Sequence, residues 1–252
     1  MGEESALLLV GSRGAGFIYG GWSDLDLWVI GHSNYLTESE RAQFDLTQEY
    51  FVDQGDYEAH FTFFDIGILE REMGKFPVEK MWILSTSKKL KGSFERLDEL
   101  INSSKALPKS VAGPIIKREL GKYMFAKSGC LSMAARSKEV ATSVWAVGQI
   151  IDSLCKICCL AECKPFPYSK WRVKVARDTI MGKDIFPVID CAIQNINELV
   201  IQPSDKSYRE WIPVKSLRSL LEIVIKNLKG QGWSAMWIDD PMEAISFDNE
   251  SA

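Results

Sequence analysis

The stretch Ala6-Leu7-Leu8-Leu9-Val10-Gly11-Ser12-Arg13-Gly14-Ala15-Gly16 decides the reading of this chain, together with Ser23-Asp24-Leu25-Asp26-Leu27-Trp28-Val29-Ile30 shortly after it. Five apolar residues stopped by a glycine suit a buried strand. The second piece alternates at its start and is apolar at its end, as a strand entering a core does. Residues two apart on a strand project to the same side, so Asp24 and Asp26 point together with their Cα atoms roughly 7 Å apart. Like charges that close raise each other's pKa unless a cation lies between them. Hard divalent ions such as Mg²⁺ take oxygen ligands, and substrate phosphates commonly complete the shell. The Gly11-Ser12 turn adds approachable backbone N–H groups and a hydroxyl, which is what a triphosphate requires. The combination outlines a phosphoryl-transfer site.

Other readings of the same residues are weaker. Glycines at 11, 14 and 16 do not form the G-x-G-x-x-G fingerprint, and no Gly-Lys-Ser/Thr follows to make a P-loop. Asp-x-Asp alone also suits a solvated β-edge or a nucleotide-sugar glycosyltransferase. Such glycosyltransferases usually carry it after a nucleotide-binding half for which there is no room here, and the upstream Gly-Ser turn sets this chain apart.

A third strand is expected from Tyr57 to Phe64, with Glu58, His60 and Thr62 alternating along it. Two Mg²⁺ ions with a triphosphate require more negative charge than one carboxylate pair supplies. Glu58 is preferred over Asp65 as the third acid, because it lies mid-element among apolar neighbours, where an unpaired carboxylate is costly. His60 shares the parity of Glu58 and either lines the cleft or is hydrogen-bonded structure.

Gly-Ser, a gap of this length, Asp-hydrophobic-Asp-hydrophobic and an acid on a later strand together resemble the nucleotidyltransferases of the DNA polymerase β superfamily. The form Gly-Ser-Arg-x-x-Gly … Ser-Asp-x-Asp-Leu is similar to the small, antibiotic-modifying members. The motif spans about the first sixty-five residues, and the two-part layout resembles kanamycin and lincosamide nucleotidyltransferases. The resemblance implies an α+β fold: a small mixed β-sheet nucleotidyltransferase core with flanking helices (1–107), then an all-helical acceptor-binding domain (108–252). It implies transfer of a nucleoside monophosphate from an NTP, ATP being the expected donor, to an acceptor hydroxyl with release of pyrophosphate. Two Mg²⁺ ions would assist. Gly11 and Ser12 would hold the β- and γ-phosphates, with Arg13 and Ser23 beside them. Asp24 and Asp26 would bind both metals, and Glu58 the catalytic one.

In two-domain relatives the base for the acceptor proton can come from the helical part. Glu119 and Lys122 lie three apart on one helical face, and the similar helix of kanamycin nucleotidyltransferase suggests a base and a phosphate contact. A solvated salt-bridging face is the simpler reading of that spacing. Asp152 is the other carboxylate candidate. In Tyr168-Ser-Lys170-Trp171-Arg172, Lys170 would meet phosphate and Trp171 would stack on a base; equally, Trp171 would anchor a loop to the core.

The remaining sequence sets the frame. Thr37 and Glu40 form a capping box for a helix expected to run to about Val52, and a short helix should begin near Ile66. The segment Ser103–Ser110 is the linker candidate, and helical periodicity follows it. Val144, Val147, Ile151, Leu154 and Cys158 form one apolar stripe; Ile189, Ile193, Ile196 and Val200 a second; Leu217, Leu220, Leu221, Ile225 and Leu228 a third.

At 252 residues, 46% hydrophobic and 25% charged, the chain can bury a core and is not a disordered one. A net charge of −4 argues against a nucleic-acid partner, although Lys164, Lys170, Arg172, Lys174 and Arg177 offer a local basic groove. Six cysteines, four of them between 155 and 163, read as buried reduced thiols in preference to a zinc site. With no leader and no apolar run long enough for a bilayer, a cytoplasmic, non-membrane protein is expected. The partners expected are an NTP and a small hydroxyl-bearing acceptor such as an antibiotic, hence a role in antibiotic resistance, and the apolar stripes leave room for a homodimer. The competing functional class is a protein of this fold that modifies a protein or RNA in a toxin–antitoxin pair, or a binding-only regulator.

Overall fold

The computed structural model describes residues 5–17, 24–32, 49–53, 58–202 and 205–245. It is α+β, and the chain divides into two compact units, residues 1–106 and 107–252.

The first unit is built on a mixed five-stranded sheet of order β3-β4-β2-β1-β5. Its strands are β1 (Ala6–Leu9), β2 (Leu25–Gly31), β3 (Glu49–Asp53), β4 (Glu58–Asp65) and β5 (Lys88–Lys91). β1 pairs antiparallel with β2, while β2 and β4 run parallel, with Asp26 opposite His60 and Ile30 opposite Phe64. The two-residue period puts Ala6 and Leu8 on the same face as Trp28 and Ile30, and all four are buried. Trp28 meets Phe64 on the neighbouring strand with ring centroids 4.6 Å apart. Helices α2 (Ile66–Met73), α3 (Val78–Ser85) and α4 (Glu95–Ser103) contribute Ile66, Leu69, Trp82, Leu84 and Leu97 to this core. β5 is Lys-Lys-Leu-Lys and wholly exposed, a lysine-rich edge that resists pairing with another chain.

The helix expected from Thr37 to Val52 needs correction. Residues 33–48 lie outside the described residues, but Glu49–Asp53 form β3, antiparallel to β4. Tyr50, Phe51 and Val52 are β-formers, and pairing with β4 outweighs a helical signal set a dozen residues upstream.

In the second unit the main helices are α5 (Lys109–Phe125), α6 (Ser132–Ser137), α7 (Val140–Ala161), α8 (Ser169–Arg177), α9 (Ile180–Gln194), α10 (Glu198–Ile201) and α11 (Ile212–Gly230). A π-helical segment, Ala126–Leu131, joins α5 to α6. α7 is the centre, packed against α5, the π segment, α6 and α8–α11. Two polar anchors fasten the bundle: the Tyr123 hydroxyl donates to Leu217 O at 2.9 Å, and Trp233 Nε1 donates to Ala161 O at 2.8 Å at the end of α7.

Two apolar stripes depart in part from expectation. On α7 the expected residues Val147, Leu154 and Cys158 are buried together with Ser143, Ala146 and Ile150, while Val144 is 45% exposed. Ser143 tolerates burial because its hydroxyl bonds Glu139 O, four residues back, at 2.9 Å. The second stripe is broken by the end of α9 at Gln194: Ile189 is buried, but Ile193 and Val200 are exposed, and Leu199 is the inward residue of α10. α7 also departs from the expectation of no long apolar run. Its 22 residues include a window of mean hydropathy 1.5, long and apolar enough to cross a bilayer, but most of that window is buried as the core of the second unit. Cys155, Cys158 and Cys159 are buried free thiols on α7, each pushed above the ordinary thiol value by burial.

Leu154 is fully buried at the crossing of α7 with its neighbours. Leu154→Ala is expected to cost about 2–5 kcal/mol, read as a lowered urea midpoint; an unchanged midpoint would contradict the placement of α7.

Candidate active site

The chain leaves β1 through Val10, whose N–H donates to Asp26 O at 2.9 Å and so carries the β1–β2 pairing one residue beyond the strand. Gly11 then adopts φ +62° and opens a single helical turn, α1 (Gly11–Gly14), closed by Gly14 N–H to Val10 O at 3.1 Å and Ala15 N–H to Gly11 O at 3.1 Å. The positive φ is one reason for glycine here. The second is spatial, because a Cβ at Gly11 would overlap the Asp26 carboxylate, whose Oδ2 is its nearest neighbour. The turn and the acid of β2 therefore lie against one another. Ser12, next in the turn, is 5% exposed, and Arg13 is half-buried.

Asp26 shares the sheet face of Trp28 and Ile30, at the end of that face where burial gives way; it is half-buried and Asp24 is exposed. Glu58 opens β4, one strand period before His60, the register partner of Asp26. Its side chain lies outside the described residues, as does Ser23. Asp65, the rival third acid, sits at the far end of β4 opposite Gly31. Its carboxylate accepts the Ile68 N–H at 3.1 Å as the N-cap of α2, which accounts for the residue structurally. Among the described residues, no three His, Cys, Asp or Glu side chains gather to hold a metal ion. Asp24, Asp26 and Ser12 are nonetheless hard oxygen donors of the kind that could hold a magnesium-like cation, and the Asp26 carboxylate lies directly against Gly11.

The residues expected from the helical part form a different structure. Glu119 is on α5 and only 1% exposed, so the Glu119–Lys122 pair is not a solvated face. Glu119 Oε1 accepts from Lys122 Nζ at 2.9 Å and Arg118 Nε at 3.3 Å, and Lys156 Nζ of α7 lies 3.6 Å from Oε2. Lys156 continues to Asp152 at 2.8 Å, and Asp152 pairs in turn with Arg172 of α8. Burial alone would raise the Asp152 carboxyl, but the hydrogen bond and charge of Lys156, together with Arg172, outweigh it and hold it below the ordinary carboxylate value. A carboxylate so enclosed by cations is better suited to hold them than to accept a substrate proton. Lys156 and Arg172 both also lie over the Phe166 ring, at 5.9 and 5.3 Å. Nothing in the linear spacing of residues 119, 152, 156 and 172 announces this network, because it joins three helices.

Trp171 is 6% exposed and its Nε1 donates to the Tyr168 hydroxyl at 2.9 Å, the anchoring arrangement. Lys170 stays exposed with its ammonium 5.4 Å from the Trp171 ring centroid. The local basic groove is largely neutralised: Lys164 pairs with Glu162, Arg172 with Asp152 and Arg177 with Asp190.

Gly11→Ala is expected to lose at least about 1–2 kcal/mol from left-handed strain alone, with further loss from overlap with Asp26; a thermal midpoint equal to wild type would contradict this geometry. Asp152, with a lowered folded-state pKa, contributes stability above its unfolded value near 4 that disappears as pH falls through the folded value. Asp152→Asn should therefore be clearly less stable than wild type at about pH 7, with the gap narrowing steadily as the pH is lowered below about 4. A gap in urea midpoint that did not narrow on acidification would contradict the network.

Among solved structures, the chain is similar to the crystal structure of a nucleotidyltransferase-like protein from Exiguobacterium sibiricum 255-15, with a TM-score of 0.46 and 10% sequence identity. The match covers 89% of this chain and 72% of that one. No protein-family model matches the sequence, and no curated protein matches it.

Proposed function

We propose that this protein is a nucleotidyltransferase that moves a nucleoside monophosphate, AMP from ATP, to a hydroxyl of a small polar or cationic acceptor such as an aminoglycoside or lincosamide, releasing pyrophosphate. The observation that carries the reading is the contact of the Asp26 carboxylate with the side-chain-free Gly11. It brings the serine-bearing turn against the one β2 carboxylate, with Asp24 just before that strand, which supports reading the turn as the phosphate side and the aspartates as the cation side of one site.

In this reading Asp24 and Asp26, with Glu58, hold two Mg²⁺ ions, which when bound offset phosphate charge and polarise the phosphoryl oxygens. The backbone amides of Gly11 and Ser12 and the Ser12 hydroxyl bind the β- and γ-phosphates, with Arg13 and Ser23 supplying further contacts. The acceptor oxygen forms its bond to the α-phosphorus as the bond to the pyrophosphate oxygen breaks, and the hydroxyl proton departs to a base. The half-buried setting of Asp26 fixes its direction, because its neighbours on the same strand face, Trp28 and Ile30, are locked in the core. Acceptor binding is assigned to the helical unit, and the acidic net charge of −4 favours a cationic acceptor.

Asp26→Asn keeps the size of the side chain and removes its charge. Its pyrophosphate release, measured across a panel of labelled NTPs and hydroxyl acceptors, is expected to fall at least about a hundredfold, with an unfolding midpoint close to wild type. Undiminished release in that variant would overturn the assignment.

A further inference from the structure

The turn α1 is held from behind as well as by the strand it leaves. The Phe17 N–H donates to Ser12 O at 2.7 Å, the Gly16 N–H donates to Arg13 O at 3.1 Å, and Gly16 itself takes φ +78°. A left-handed glycine with this pair of bonds is a common way for a helix to end. The amides of Gly14, Ala15, Gly16 and Phe17 all donate to carbonyls between Val10 and Arg13, so the rear of the turn is closed on itself.

The apolar residue after such a glycine ordinarily packs on a side chain of its own helix. Here the positions it would cover are Gly11 and Ser12, which offer no apolar surface. Phe17 turns instead to α3, where its ring meets that of Trp82 with centroids 6.2 Å apart and planes 27° from parallel. Trp82 is buried and reaches the turn by a second route as well. Its carbonyl accepts both the N–H and the hydroxyl of Thr86, at 3.1 and 2.8 Å. The Thr86 carbonyl in turn lies against Gly14, where a Cβ would come within 3.5 Å of it and within 2.6 Å of Leu9 O. The turn is thus set between the end of β1 and residues 82–86, with Phe17 as its brace.

A single helical turn is unfavourable in isolation. A cradle of backbone amides binds well only when those amides already point the right way, because ordering them on binding costs affinity. Ser12 feels this most directly. Its carbonyl is fixed by the Phe17 amide, while its own amide and hydroxyl are the groups assigned to phosphate.

We infer that Gly16 and Phe17 are positioning residues for the phosphate turn, holding Ser12 in its binding direction through the closure bond and the Trp82 contact. The inference rests on the transferase reading and assigns neither residue a contact with the nucleotide. Its test is calorimetric titration of the full chain with ATP and Mg²⁺, at a temperature where circular dichroism shows every variant folded. Wild type should bind. In Gly16→Ala the new Cβ meets nothing within 4 Å, so the change acts through the left-handed backbone alone, and binding should weaken at least about fivefold. Gly16→Asn, whose side chain tolerates that conformation, should stay within about twofold of wild type. Phe17→Leu keeps apolar bulk but loses the ring contact, and should weaken binding in the same direction as Gly16→Ala. A merely structural closure would lower the thermal midpoints of Gly16→Ala and Phe17→Leu and leave the ATP affinity of the folded protein unchanged. That result would overturn the inference and leave the transferase reading standing, as would equal weakening in Gly16→Ala and Gly16→Asn. No binding by wild type would overturn the transferase reading and this inference with it.

Discussion

The contact between Gly11 and Asp26 is the constraint on which the candidate active site depends. It needs a backbone that turns left-handed immediately after a buried strand, and an α-carbon bare enough for a carboxylate to lie against it. Only glycine meets both demands. Any side chain at residue 11 would separate the turn from the acid or force the carboxylate away.

The sheet holds this contact in place. β2 has β1 on one side and β4 on the other, so Asp26 belongs to a central strand. The burial of Trp28, packed on Phe64, and of Ile30 fixes which face that strand presents. A one-residue slip would turn Asp26 to the opposite face and take Trp28 and Ile30 out of the places they fill in the core. In the helical unit, α7 plays the corresponding part, and the Glu119–Lys156–Asp152–Arg172 chain ties α5, α7 and α8 together. Buried charges of this kind are costly when one partner is lost, so the network favours a single arrangement of these helices.

Local patterns made much of this legible from the sequence. The apolar run with its glycine stop, the alternation after Asp24, and the β-formers around His60 are period-two signals that need no partner to be read, and they correspond to β1, β2 and β4. β3 was hidden because its five residues carry no clear alternation and owe their form to pairing with β4. β5, three lysines and a leucine, resembles a loop until its bonds to β1 are known. On α7 the expected stripe holds at Val147, Leu154 and Cys158 and fails at Val144, because Ser143 satisfies its hydroxyl on its own helix and can turn inward. At the site, Gly11, Ser12, Asp24 and Asp26 stand out by spacing alone. The contact of Gly11 with Asp26, the capping role of Asp65, and the enclosure of Glu119 by cations from two helices are long-range facts that no window of sequence contains.

The central claim is that the Gly11–Ser12 turn and the Asp24–Asp26 pair form one cradle for a metal-bound nucleotide. Anomalous diffraction from crystals soaked with Mn²⁺ and a non-hydrolysable ATP analogue tests it most directly. The account predicts a manganese peak within coordination distance of both aspartates, with the terminal phosphates over Gly11 and Ser12. Manganese bound elsewhere, or phosphates remote from the turn, would contradict it.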